Sequence, residues 1–117
     1  RDLVRSRGLG DVYKRQEQVR AYAGNCRVLL ISPIELGNDV WQEGYDPQFD
    51  AGSPAVSRNL KYTFAKVARK HGTDILAASD HAKPSSIDCE HLDENGHNAL
   101  ARAVEDKILS IYGRAAS

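Results

Sequence analysis

The sequence predicts an open α/β fold in which helices alternate with short parallel strands. Two short apolar runs, each leading into a loop, indicate the strands, and longer segments with apolar residues at helical spacing surround them. The order along the chain is helix, strand, long loop, helix, strand, loop, helix. This order is typical of half an open α/β sheet, because a crossover helix joins neighbouring parallel strands.

Residues 1–16 differ from the rest of the chain. They are strongly basic, carry two glycines close together, and have apolar residues that follow neither a helical nor a strand period. The stretch resembles translated adaptor sequence. We interpret it as a leader that is either non-native or a disordered, flexible arm, and we place the folded unit at residues 17–117.

The first strand is predicted over Cys26–Ser32. Residues 17–23 read as the end of a helix, which Gly24 and Asn25 stop. The strand has a continuous apolar centre, which is typical of a strand buried on both faces of a parallel sheet. Pro33 ends it, since proline cannot donate to the ladder.

A long connection over residues 34–53 follows the first strand. A loop of this length within a compact domain is usually functional or a lid. Its aromatic residues Trp41, Tyr45 and Phe49 either line an acyl pocket or simply pack the loop, and the sequence does not choose between these roles.

The next helix is predicted over Pro54–Lys70, with Ser53 as its cap and His71-Gly72 as its end. A second short strand is predicted over Thr73–Ala77. The apolar residues of the helix recur at helical spacing and predict its buried stripe: Val56, Leu60, Phe64, Val67 and Ala68.

The last helix is predicted from about Glu94 to Tyr112, with Asp93 as the N-cap. A loop over residues 78–92 joins it to the second strand. The expected buried face of this helix consists of Ala99, Leu100, Ala103, Val104, Ile108 and Ile111.

Charge and composition exclude several classes of partner. Sixteen basic side chains balance sixteen acidic ones, so there is no electrostatic footprint for nucleic acid. The longest apolar run, Val28–Ile31, is far too short to span a bilayer. Cys26 and Cys89 are too few for a disulfide scaffold and are expected to be free thiols, which favours a reducing, cytoplasmic compartment.

The residues that carry chemistry lie in the second loop. Asp88 and His91 are three residues apart, directly before the last helix and after the second strand. Sites in open α/β sheets form where loops leave the carboxyl ends of strands. Asp88 could bond one ring nitrogen of His91 and leave the other free to take a proton from a serine. A pattern of Asp and His at this spacing is weak evidence by itself.

The context of the pair adds a resemblance. The stretch D-C-E-H-L-D-E-N-G-H-N-A-L-A (88–101) resembles the last sequence block of the SGNH (GDSL-type) hydrolases, and the run V-L-L-I-S-P (28–33) resembles an upstream strand of that family. The likeness covers about residues 17–113. It implies the C-terminal half of a three-layer α/β/α, flavodoxin-like fold and a serine esterase or acylhydrolase that acts on small esters without a metal or organic cofactor.

The resemblance makes Asp88 the triad acid and His91 the general base. The family's nucleophilic serine and oxyanion donors have no counterpart here, since Gly10-Asp11 is followed by valine and Gly37-Asn38-Asp39 falls after the first strand and reads as a turn. Cys89 and Glu90 occupy positions that are often glycine and an aliphatic residue. The chain is therefore expected to be a fragment that is inactive alone.

Other interpretations remain open. Asp88 and His91 could belong to a non-catalytic α/β interaction module, or the chain could be a nucleotide-binding half-domain, although no Gly-rich phosphate loop follows either strand. His97 is expected to be a structural or pocket-edge residue. Ser85 and Ser86 lack a nucleophile elbow. The spacing of the conceivable metal ligands fits no standard zinc or calcium pattern: His81, Asp88, Cys89, Glu90 and His91. Oligomeric state is left undetermined.

Overall fold

The computed structural model describes residues 2–116, with side chains over residues 10–113. Three helices, two strands and one 3₁₀ turn follow one another in the predicted alternating order. The elements are α1 (Asp2–Tyr22), β1 (Leu29–Ser32), α2 (Ser53–His71), β2 (Asp74–Ala77), the 3₁₀ turn (Ala78–Asp80) and α3 (Glu94–Ala116). The prediction of an α/β architecture is confirmed.

The two strands pair in parallel, as the sequence predicts. Leu29 lies opposite Asp74 and Ser32 opposite Ala77. The ladder begins later than expected, because Cys26 to Val28 lie before it, but the backbone of this segment still approaches β2. The N–H of Asp74 donates to the carbonyl of Val28 at 3.0 Å.

The prediction that the first strand is buried on both faces is wrong for part of it. Ser32 is fully buried, whereas Ile31 remains 40% exposed. Side chains of neighbouring strand residues point to opposite faces of a sheet, so one face of β1 is covered and the other is partly open at this point. Within the described residues, β1 and β2 form a two-stranded sheet.

Helix α2 begins and ends almost where predicted, but its N-terminus is built differently. Gly52 is the N-cap, and the Ser53 hydroxyl makes no capping bond. Instead, this hydroxyl accepts the N–H of Asp50 at 3.0 Å and donates to the Asp50 carboxylate at 3.2 Å. Pro54 lies in the first turn, as expected. At the other end Gly72 adopts φ +65° and donates to the carbonyls of Ala68 and Arg69, a left-handed cap that glycine favours.

The core lies between α2, β2 and the loops beside them. Its buried apolar residues are Val40, Val67, Ala68, Leu76, Ala78, Ala82, Cys89 and Ile111. Val67 and Ala68 of the predicted α2 stripe are among them, and the rest of that stripe is half-buried. On α3, Ile111 is buried as predicted but Ile108 is 41% exposed, since the helix contacts the core along a narrower strip than the sequence pattern indicated.

Residues 2–22 form one helix, α1, which includes the segment whose apolar residues followed neither a helical nor a strand period. Many of its residues are straight-chain helix formers, which can sustain local hydrogen bonding without an apolar stripe. It contacts α2 through Tyr13, whose ring meets His71 edge-on at 5.3 Å between centroids and lies 5.2 Å from Nζ of Lys70. The interpretation of residues 1–16 as foreign to the domain stays a prediction.

Across the described residues, no helix combines the length and apolar character needed to cross a bilayer.

Candidate active site

A compact turn at residues 85–91 lies between the 3₁₀ turn and α3, on the path that leaves the carboxyl end of β2. The N–H of Ser85 donates to the carbonyl of His91 at 2.7 Å, and the N–H of Cys89 donates to the carbonyl of Ser85 at 2.8 Å. The Ser85 hydroxyl accepts the N–H of Ile87 at 3.1 Å. These bonds fold the segment back on itself, so that residues 88 and 91 face one another. We call this segment the 85–91 turn.

Asp88 fixes both the backbone and the ring of His91. Its Oδ1 atom accepts the backbone N–H groups of Glu90 and His91, each at 3.0 Å. Its Oδ2 atom lies 2.6 Å from Nδ1 of His91. The predicted contact between the two side chains is therefore present. A carboxylate at Nδ1 holds the proton on that nitrogen and leaves Nε2 to accept another.

Hydrogen bonding shifts the titration of both groups. The backbone N–H groups of His91 and Glu90, with the His91 ring next, lower the pKa of Asp88 from 3.8 to about 2. The hydrogen bond to Asp88, followed by the charges of Asp88, Glu90 and Asp46, raises the pKa of His91 above 6.5. The pair is thus ionised over a wider pH range than either side chain alone.

The pair is open to a second molecule or a further segment. The side chain of His91 is 74% exposed and that of Asp88 is 41% exposed. Among residues whose side chains the structure describes, none hydrogen-bonds to Nε2 of His91. This nitrogen can therefore take a proton from a hydroxyl brought to the surface of the turn, which is the function of a general base.

The long loop (33–52) packs against the 85–91 turn, and sequence reasoning missed this contact. The N–H of Gly37 donates to the carbonyl of Cys89 at 2.8 Å. Electrostatic interaction with Cys89, followed by burial, raises the pKa of Tyr45. Burial, followed by the charge of Asp46, raises the pKa of Glu90. One feature of the sequence pointed to this contact: Cys89 occupies a position where the SGNH hydrolases, which the sequence resembles, often have glycine.

The turn predicted at Gly37-Asn38-Asp39 is present, since the N–H of Val40 donates to the carbonyl of Gly37 at 3.1 Å. Trp41 on this loop is 45% exposed, whereas Tyr45 and Phe49 are half-buried.

The other candidate residues lie apart from the pair or make structural contacts. His97 is exposed in the first turn of α3, where Asp93 caps the helix as predicted by accepting the N–H of Gly96 at 2.7 Å. His81 lines a separate open groove of about 410 Å³ beside α3 together with Arg102 and Asp106. Both cysteines are free, Cys26 exposed and Cys89 buried. No group of three or more potential metal ligands occurs within the described part of the chain.

Two solved structures resemble this fold. The first superimposes with a TM-score of 0.72 at 28% identity, over 89% of this chain and 51% of its own. The second is Est24, a carbohydrate acetylesterase from Sinorhizobium meliloti, with a TM-score of 0.70 at 24% identity, over 86% of this chain and 49% of its own. The chain thus spans about half the length of the structures it matches, and the likeness shows an α/β fold shared with an esterase. No family model matches the chain, and neither does any curated protein.

Proposed function

We propose that this chain supplies the acid–base part of an SGNH-type serine ester hydrolase. His91 is the general base and Asp88 the carboxylate that orients it. The observation that carries the proposal is the 2.6 Å contact between Oδ2 of Asp88 and Nδ1 of His91, on an exposed turn that follows a parallel strand. The fold shared with an acetylesterase supports the same assignment.

The proposed reaction proceeds in two proton-coupled steps. A serine hydroxyl attacks the ester carbonyl while Nε2 of His91 takes its proton, and the imidazolium then gives that proton to the departing alcohol. A water molecule attacks the acyl-enzyme in the same way and releases the acid. Asp88 keeps the ring in the required tautomer and stabilises the imidazolium, so neither step needs a metal or an organic cofactor.

The nucleophile in this proposal comes from sequence outside these 117 residues. The hydroxyl of Ser57 donates to the carbonyl of Pro54 at 2.7 Å, and Ser32 is fully buried. Ser85, the nearest serine in the turn, uses its hydroxyl to accept the N–H of Ile87. Among the described side chains, no serine hydroxyl hydrogen-bonds to the ring of His91.

Small carboxylic esters are the proposed substrates, and acetyl esters of carbohydrates are the first to test. They are tested first because Est24, whose fold is similar, is a carbohydrate acetylesterase.

The proposal can be tested in the longer protein that contains this chain, with p-nitrophenyl acetate as substrate. His91→Ala should lower kcat/KM by about four orders of magnitude, and Asp88→Asn by a comparable factor. The reason is that the nucleophilic serine, His91 and Asp88 act as a unit. His81→Ala is the matched control, since His81 lies in the separate groove and its replacement should leave the rate unchanged.

A fluorophosphonate probe distinguishes the proposed hydrolase from an interaction module. The longer protein should be labelled on one serine, and His91→Ala should abolish the labelling. A rate unaffected by His91→Ala would rule out the proposed base. Labelling of the 117-residue chain alone would show that the nucleophile lies within it, contrary to the proposal.

A further inference from the structure

Cys89, between the two proposed catalytic residues, has an unusual backbone conformation. Its φ of +59° lies in the left-handed region and is the only positive value among the described non-glycine residues. This conformation is unfavourable for a side chain that carries a Cβ. It nevertheless bends the chain so that the next two N–H groups, of Glu90 and His91, both point at Oδ1 of Asp88. The geometry of the pair therefore depends on Cys89.

Contacts from the long loop hold Cys89 in that conformation. Its side chain is 8% exposed. Gly37 donates its N–H to the Cys89 carbonyl at 2.8 Å, which fixes the orientation of the peptide group that follows Cys89. The long loop thus reaches Cys89 through a backbone hydrogen bond and through the close approach of Gly37.

The approach of Gly37 is so close that only glycine fits. A Cβ on residue 37 would lie 2.7 Å from Cβ, 3.0 Å from Sγ and 3.2 Å from Cα of Cys89. The atoms that it would meet belong mainly to the side chain of a buried residue, which has little room to move. A larger residue at position 37 must therefore push the long loop and the 85–91 turn apart.

We infer that Gly37 is a positioning residue for the Asp88–His91 pair, and that it acts by holding Cys89 in its left-handed conformation. Gly37 does not touch the reacting atoms. The inference rests on the proposed function for its catalytic meaning, but it concerns the geometry of the pair and can be tested without esterase activity.

The test follows the His91 ring by NMR titration of the 117-residue chain. Gly37→Ala should move the pKa of His91 down toward 6.5, because a displaced Cys89 no longer aligns the ring with Asp88. Gly52→Ala in the same loop is the matched control. A Cβ there meets only Asp50 Oδ1 at 3.4 Å, an ordinary contact, so the His91 titration should not change.

A second substitution separates positioning from general damage to the fold. Cys89→Gly combined with Gly37→Ala removes the two closest clashing atoms, leaves the 3.2 Å approach to Cα, and suits a positive φ. The double variant should regain the His91 titration of the parent chain. An unchanged His91 pKa in folded Gly37→Ala would overturn the inference, as would failure of the double variant to restore it.

In the longer protein, Gly37→Ala should lower kcat more than it raises KM, and the double variant should recover the loss. If the NMR shift appears but the longer protein has no esterase activity, the positioning role stands and the proposed function fails. If the longer protein has esterase activity but Gly37→Ala leaves the His91 titration unchanged, the proposed function stands and the positioning role fails.

Discussion

Oδ2 of Asp88 lies 2.6 Å from Nδ1 of His91, while Oδ1 of the same carboxylate accepts two backbone N–H groups at 3.0 Å. One side chain thus shapes the turn and orients the ring above it. Because the backbone bonds are the largest cause of the low pKa of Asp88, the carboxylate is held ionised mainly by the turn itself.

Asp88→Asn should lower the pKa of His91 toward 6.5, because the hydrogen bond and the charge of Asp88 are the two largest causes of its rise. Asparagine can still accept the N–H groups of Glu90 and His91 through Oδ1, so the turn is retained. The measurement is the Cε1–H chemical shift of His91 against pH. Asp80→Asn, which removes the partner of Lys61 elsewhere on the surface, is the control. A His91 pKa that does not fall in Asp88→Asn would contradict the assigned cause.

The same pair predicts a pH dependence of stability. The pKa of Asp88 is lowered on folding. Its contribution to the free energy of unfolding is therefore present above pH 3.8 and is lost as the pH falls toward about 2. The pKa of His91 is raised on folding. Its contribution to the free energy of unfolding is therefore complete below pH 6.5 and is lost as the pH rises through the pKa of His91 in the folded chain. The difference in free energy of unfolding between the parent chain and His91→Ala should therefore be largest between pH 3.8 and 6.5. Urea unfolding at several pH values measures it, and a difference that grew steadily above pH 7 would contradict the assignment.

The sequence was sufficient to predict the Asp88–His91 contact because it is local: two residues three apart need only one turn to meet. The alternating order of helices and strands was also predictable, since apolar periodicity and the Gly72 stop are local signals. The packing of Gly37 on Cys89 was not, because residues far apart in the chain are brought together by the whole core. The exposure of Ile31 and Ile108 was missed for the same reason: a periodic apolar pattern does not determine how much of each face is covered.

Two buried serines should respond in opposite ways to replacement by alanine. The Ser57 hydroxyl accepts the N–H of Leu36 at 2.9 Å and donates to the carbonyl of Pro54, so Ser57→Ala should destabilise the chain by about 1–3 kcal/mol. The Ser32 hydroxyl is buried and has no hydrogen-bond partner within residues 10–113, so Ser32→Ala should be neutral or stabilising by about 1 kcal/mol. Chemical denaturation of both variants provides the comparison. A larger loss for Ser32→Ala than for Ser57→Ala would show that Ser32 has a partner that the fold does not reveal.

Gln16 provides the sharpest test of how α1 contributes to the fold. Gln16 is 4% exposed, and neither its Nε2 nor its Oε1 has a hydrogen-bond partner among the residues whose side chains are described. Two polar atoms are thus taken out of water without compensation, which costs free energy on folding. Gln16→Met keeps an unbranched side chain of similar length and removes both atoms, so it should raise the free energy of unfolding by about 1–2 kcal/mol. Gln18→Met, at an exposed position of the same helix, is the control and should have little effect. Thermal unfolding of the two variants beside the parent checks the prediction. Destabilisation by Gln16→Met would indicate that the Gln16 amide makes hydrogen bonds in the folded chain and that these bonds help to hold α1 against the rest of the fold.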